Sequence, residues 1–386
     1  MNTLWDSIKR ELRRIGSKPV YLVMLLLVPI GCTLFFVSLM NEGLPLRTPV
    51  AVVDLDQSQL SRQIVRNLNS GDLCDIQYKL ESYSDAMEKV RQGDIFGFFL
   101  IPDRFEEDAM AGKSPTLVYY SNMTYYVPGT LSFKGFKTVA VTTTGGVVMA
   151  VLTDLGLSQT QASSLVQPVS IDAHPMGNPW TNYSYYLTPS FTFLTFALLI
   201  MLFTSFTITV EIKHGTSRDW LKTAGNNIYV ALAGKILPQS AILIAMTMGV
   251  AGLLWGFLHF PANGSIGWFL IALALFILAS QALSIFITCI LPNPRLAMSI
   301  IGLLGVLSFS FTGISFPVQS MYGAIGIFSY IMPARYMFLI YVNNLLNGWD
   351  VYYVRYYYAV LTGFILLSVI AATRLKKACL NPVYLP

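Results

Sequence analysis

Pro19-Val-Tyr-Leu-Val-Met-Leu-Leu-Leu-Val-Pro-Ile-Gly-Cys-Thr-Leu-Phe-Phe-Val-Ser-Leu-Met-Asn41 contains no charged residue. At ~1.5 Å per helical residue, such a run is long enough to cross a ~30 Å hydrocarbon core. What comes next decides the architecture. A polar stretch over residues 41–185 carries 10 Lys+Arg and 15 Asp+Glu, and only after it do apolar runs resume. This pattern predicts an α-helical polytopic membrane protein. It has six transmembrane helices and a small α/β extracytoplasmic domain between the first and second spans.

The whole chain has 386 residues, 54% hydrophobic and 12% charged, against about 25% charged in soluble domains. From Ile236 to Pro294 there is no Asp, Glu, Lys or Arg. That length holds two spans with a turn at His259–Gly267. The expected spans lie near 20–40, 189–210, 231–258, 267–291, 297–316 and 356–373. The segment 317–346 is broken by Pro317 and Pro333. It reads as two short helices, about 319–329 and 334–346, that enter the bilayer and return, a backbone path tolerated only where protein or water covers it. Tyr183, Tyr185 and Tyr186, and a second tyrosine group at 352–358, mark the outer interface.

The net charge of +5 conceals a −5 polar stretch and a +10 remainder. The basic residues flank apolar runs: Lys213, Arg218 and Lys222; Arg295; Arg374, Lys376 and Lys377. They set topology and meet anionic lipid, so nucleic acid is not an expected partner. Both termini are expected on the cytoplasmic side. Residues 1–18 read as an amphipathic interfacial helix. Leu4, Trp5, Ile8, Leu12 and Ile15 form its apolar face, and Lys9, Arg10, Arg13 and Arg14 face the headgroups. The expected order is 1–18 interfacial helix, 19–41 first span, 42–186 outer domain, 187–375 remaining spans and 376–386 cytoplasmic tail.

Within the polar stretch, strands are expected at 49–54, 74–79, 95–101 and 115–121. Helices are expected at 59–68, from an N-cap at Ser84 to Gln92, and at 104–111. Alternation of this kind suggests an α/β sandwich. Val127–Leu155 reads either as a long helix on the domain or membrane surface, or as a further crossing. Thr142-Thr-Thr-Gly-Gly146 weakens it as a helix, and a crossing there inverts every later loop against the charge bias.

Chemistry is sparse. Of Cys32, Cys74, Cys289 and Cys379, only Cys74 lies in the polar stretch, so no disulfide is expected there, and no Cys/His spacing suits a metal. Gly112-Lys-Ser114 lacks its upstream glycine, since Glu107 stands there, and is not a phosphate loop. The nearest catalytic-looking pair is Asp172 with His174, and no catalytic residue is assigned. The spans contain no carboxylate except Glu211 at a cytoplasmic end. An ion-coupled carrier needs such groups, so work against a gradient must come from another polypeptide.

The turn after the second span reads Val210-Glu-Ile-Lys-His-Gly-Thr-Ser-Arg-Asp-Trp-Leu-Lys-Thr-Ala224, followed by Ala233-Gly-Lys-Ile-Leu-Pro238. Further on come Phe311-Thr-Gly-Ile-Ser-Phe-Pro-Val318, Met332-Pro-Ala-Arg-Tyr336 and Asn347-Gly348. In order, these resemble the permease subunits of type-2 ATP-binding-cassette (ABC-2) exporters, in the drug-efflux-like branch with a large extracytoplasmic domain. Ile212-Lys213-His214 departs from that family's Glu-Arg-Glu-x-Gly-Thr turn. The resemblance implies a homo- or heterodimer of permeases, each engaging a cytoplasmic ABC ATPase that binds ATP and Mg, with no cofactor in this chain. It also implies a coupling helix with Glu211, Gly215, Thr216, Trp220 and Leu221 as ATPase-coupling residues. Pro238, Gly313, Pro317 and Pro333 are its structural turns. The expected function is export of an amphiphilic or drug-like substrate, with a periplasmic adaptor and outer-membrane channel as partners of the outer domain. The alternative is a membrane-anchored extracytoplasmic sensor or envelope-assembly protein, which needs a cytoplasmic signalling domain where only short loops are read.

Overall fold

The computed structural model describes residues 2–168 and 174–381. Asp172 of the Asp172–His174 pair, and the last five residues of the expected tail, lie outside them. The chain divides into two compact units. One is formed by the chain up to Gly43 and from Pro175 onward, the other by Leu44–His174.

The chain opens with α1 (Asn2–Ser17). The first apolar run follows as α2 (Pro19–Leu22), a π turn over Val23–Leu27 and α3 (Val28–Leu39). Leu44–His174 then forms a four-stranded sheet in the order β2-β1-β3-β4. The strands are β1 (Thr48–Asp54), β2 (Cys74–Leu80), β3 (Gly97–Ile101) and β4 (Val118–Ser121). β1 pairs parallel with β2 and β3, and β4 closes antiparallel on β3. Central parallel strands are covered on both faces and therefore read as continuous apolar runs. Val50 and Val52 pack with Ile64, Leu68, Phe99 and Phe136 on one face. Ala51 and Val53 pack with Ala86, Ile95 and Phe98 on the other. The covering helices are α4 (Gln59–Ser70), α5 (Tyr83–Gln92) and α7 (Tyr126–Asp154), with the short α6 (Phe105–Met110) and α8 (Gln159–Val166) at the side. The N-cap of α5 is Ser82, whose hydroxyl accepts from the Asp85 amide; Ser84, the expected cap, lies inside the helix. Two residues earlier is where the backbone is still extended, as a cap requires.

α7 is continuous through Thr142–Gly146. Thr138, Thr142 and Thr144 each donate their hydroxyl to the carbonyl four residues back, so their side-chain donors are satisfied within the helix. Its first half buries Leu131 and Phe136, while Val141, Val148 and the following Leu155 are exposed.

The helical unit continues with α9 (Tyr183–Lys213), α10 (Ser217–Thr223), α11 (Ile228–Ala251), α12 (Ile266–Ile290) and α13 (Pro294–Phe311). After these come α14 (Gly323–Ser329), α15 (Pro333–Ile340) and α16 (Val351–Leu380). α9 is the axis of the unit, and most of its side chains are buried. At Gly305 of α13, an added Cβ meets Leu198 of α9 at 2.3 Å, so glycine sets that close approach. Ser240 bonds Gln281 at 2.6 Å and Thr288 bonds Ser205 at 2.9 Å, polar stitches of the kind that join apolar helices. α14 and the α15 stretch meet at an 80° bend. Among the described residues seven helices are long and apolar enough to cross a membrane, one more than the six expected. The seventh is α7.

Candidate functional site

α9 ends where the sequence stops favouring helix. Gly215 takes a left-handed φ of +69, and Gly225 another of +66, so α10 is bracketed by two glycines. A left-handed residue after a helix is the usual device for turning the chain away. No atom lies within 4 Å of a Cβ built at Gly215, so conformation rather than crowding selects glycine there.

Glu211 sits at the root of this turn and is fully buried. Arg10 donates to it twice, Nη1 to Oε1 at 2.8 Å and Nη2 to Oε2 at 2.9 Å. Arg14 donates to Oε1 as well, and the Thr216 hydroxyl donates to Oε2. Lys235 Nζ reaches Oε1 at 3.1 Å and Glu11 Oε2 at 2.8 Å. Gln239 Nε2 then donates to Glu11 Oε1 at 2.7 Å. Two carboxylates are thus held by three cations, with a hydroxyl and an amide filling further acceptor sites. Lys235 also stands 5.2 Å from the Trp220 ring centre, and the indole Nε1 donates to the Ala231 carbonyl. Charges this deep are tolerated only when paired and hydrogen-bonded.

The network corrects the expected orientation of α1. Arg10 and Arg14 turn into the protein to meet Glu211, leaving Lys9 and Arg13 exposed. Ser7, Glu11 and Ile15, four residues apart, form the buried stripe, and Leu4, Trp5 and Leu12 are exposed. Ser7 is pressed against Gly234 of α11, where an added Cβ meets it at 2.3 Å.

The five expected coupling residues take two different positions. Glu211 and Thr216 meet directly, and Gly215 turns the chain beside them. Trp220 and Leu221 are each 1% exposed and pack on Ile208, Ile228, Ile285 and Leu375. They fasten α10 to the long helices and offer nothing to an outside partner, because the helix must bury its apolar side somewhere. Its open face carries Arg218, Asp219 and Lys222. The far end of α16 is also tied here: Ser217 Oγ donates to the Cys379 carbonyl and Arg218 Nε to that of Leu380, both at 2.9 Å. Among the structural turns, Gly313 has φ +98 just after α13, Pro317 precedes a 3-10 turn and Pro333 opens α15. Pro238 is not at a turn. α11 begins ten residues earlier under an Asn227 cap, and Pro238 is buried within it. Sequence reading missed Glu11, and it met Lys235 only as part of the resemblance, without placing it at the site. Their signal was a lone acid in a basic run and a lone cation inside an apolar helix.

A bundle of long apolar helices whose buried carboxylates, Glu11 and Glu211 among the described residues, gather in one node defines a multi-pass membrane protein. The chain belongs to the ABC-2 transporter family: the family model described as ABC-2 family transporter protein matches residues 19–374. Its members are the membrane-spanning permease component of transporters, and the family implies an ATPase partner. Among curated proteins, the chain is similar to the linearmycin resistance permease protein LnrN of Bacillus subtilis (strain 168). The two are 30% identical over 109 residues, a match covering 28% of this chain and 28% of that protein.

Proposed function

We propose that this chain is the permease subunit of an ATP-driven exporter in a bacterial inner membrane. It pairs with a second permease, and ATP and Mg are bound and hydrolysed on a separate cytoplasmic subunit. The cargo is an amphiphilic or drug-like compound, a reading favoured by the resistance permease to which the chain is similar. Six helices cross, both termini are cytoplasmic, and the α/β unit faces outward, where an adaptor and outer-membrane channel dock. α7 stays with the α/β unit because Leu131 and Phe136 are buried in that unit. A seventh crossing also reverses Lys213–Lys222 and Arg295 against the positive-inside bias. The exposed Leu4, Trp5 and Leu12 suit α1 to lie in the cytoplasmic interface.

The observation that carries this reading is the Glu211 node. It joins α1, α9, α10 and α11 through one carboxylate, so a push on the exposed face of α10 moves four elements together. Rigid-body transmission of this kind needs a stiff joint rather than a flexible loop. The test is co-reconstitution with the partner ATPase. Glu211→Gln is expected to abolish substrate-stimulated ATP turnover, and Asp219→Ala, which leaves the node intact, to weaken ATPase binding. Normal coupling and normal binding in both variants would overturn the assignment.

A further inference from the structure

Where α2 begins, α9 ends and α13 begins, the helical unit bears an open groove of about 720 Å³. Lys18 and Arg295 stand on its wall, and neither forms an ion pair with any described residue. Lys213 and His214 line it too, and no Asp or Glu does. Tyr21, Phe206, Val210 and Met298 supply an apolar part of the same lining. Tyr21 is 2% exposed and its ring packs edge-on to Phe203 at 5.5 Å. Basic groups and apolar groups lining one groove select a molecule with an anionic end and a hydrocarbon body, because each half then meets its complement.

We infer that this groove binds an anionic amphiphile, with Lys18 and Arg295 holding a phosphate or carboxylate and Tyr21, Phe206 and Met298 covering the first methylenes of its tail. The groove reaches the coupling node. Val210 precedes Glu211, and the Arg14 guanidinium that bonds Glu211 lies 5.8 Å from the Tyr21 ring centre. A tail that displaces Tyr21 therefore presses on the contact that orients Glu211. Calling the occupant cargo rests on the permease reading; the binding itself does not.

The experiment uses the full chain in nanodiscs of neutral phosphatidylcholine, with no ATPase present. The probe is a fluorescent dodecyl phosphate, compared with a dodecyl ammonium of the same tail. Saturable binding of the phosphate is expected, with Kd raised about tenfold or more in Lys18→Ala/Arg295→Ala, as loss of charge-assisted contacts predicts. Arg374→Ala, exposed on α16 and outside the groove, should leave Kd unchanged. Addition of phosphatidylglycerol separates the sources: displacement of the probe identifies a leaflet lipid headgroup as the anion, and no displacement identifies a free amphiphile. Equal Kd in the double variant and the parent, or equal binding of the ammonium probe, overturns the inference. Normal ATPase coupling and binding in Glu211→Gln and Asp219→Ala, with this Kd and its Lys18/Arg295 dependence intact, defeats the permease reading alone.

Discussion

Ion pairs in the α/β unit and in the helical unit use the same chemistry, a lysine ammonium on a carboxylate, at nearly the same distance. Lys89–Asp94 is 2.9 Å long and Lys235–Glu11 is 2.8 Å. In the first, both side chains stand about a third exposed; in the second, neither exceeds 2%. Water already solvates the surface pair, so separating it changes little. No water replaces a lost partner at Glu11, and removing one charge strands the other. The difference teaches that charge is cheap to place in the α/β unit and carries little structural information there. In the helical unit the buried charges of the node specify which helices meet.

The contrast is sharpest in stability. Lys235→Met alone is expected to destabilise the helical unit by about 3–5 kcal/mol, because Glu11 is left buried and unpaired. Adding Glu11→Leu should recover most of that loss, and a denaturant titration in detergent reads both. If the single variant is as stable as the parent, the node is not a closed network. Next in size is a pair of glycines on α7. At Gly135 an added Cβ falls 2.5 Å from the Cys74 sulfur, whereas at Gly146 it meets nothing. Burial pushes the Cys74 thiol up to about 12, so it remains a neutral packing group. Gly135→Ala should therefore destabilise the α/β unit by about 1–3 kcal/mol through overpacking. Gly146→Ala should stabilise it by about 0.8–1 kcal/mol, the helix-propensity gain alone. Equal and favourable effects at both sites would contradict the packing of α7 on β2. The smallest effect belongs to Lys89→Ala: its unfolding midpoint should match the parent's, although the hydrogen bond to Asp94 raises the Lys89 pKa.

Much of the architecture was legible. The run from Pro19, the charge-free stretch from Ile236 and the Pro-broken segment near 317–346 all became helices close to their expected limits, because local apolar length is a property of sequence. The strand of residues 49–54 was readable for the same reason. α7 was ambiguous in the sequence because its composition suits either a crossing or a sheet cover; Phe136, buried with Val50 and Phe99, shows that its first half covers the sheet. Trp220 and Leu221 were named for coupling, yet nothing in the linear pattern of a seven-residue helix tells which side is buried.

By itself the sequence determined that the chain is a multi-pass helical protein with a separate α/β unit, since both follow from runs of neighbouring residues. It also singled out Glu211, the lone carboxylate of its spans. Only the tertiary structure decided what Glu211 meets. Arg10 and Lys235 stand 201 and 24 residues away from it along the chain. A buried charge takes whichever partners the packing of helices brings within hydrogen-bond reach, and that is set by three-dimensional contact rather than by spacing along the backbone.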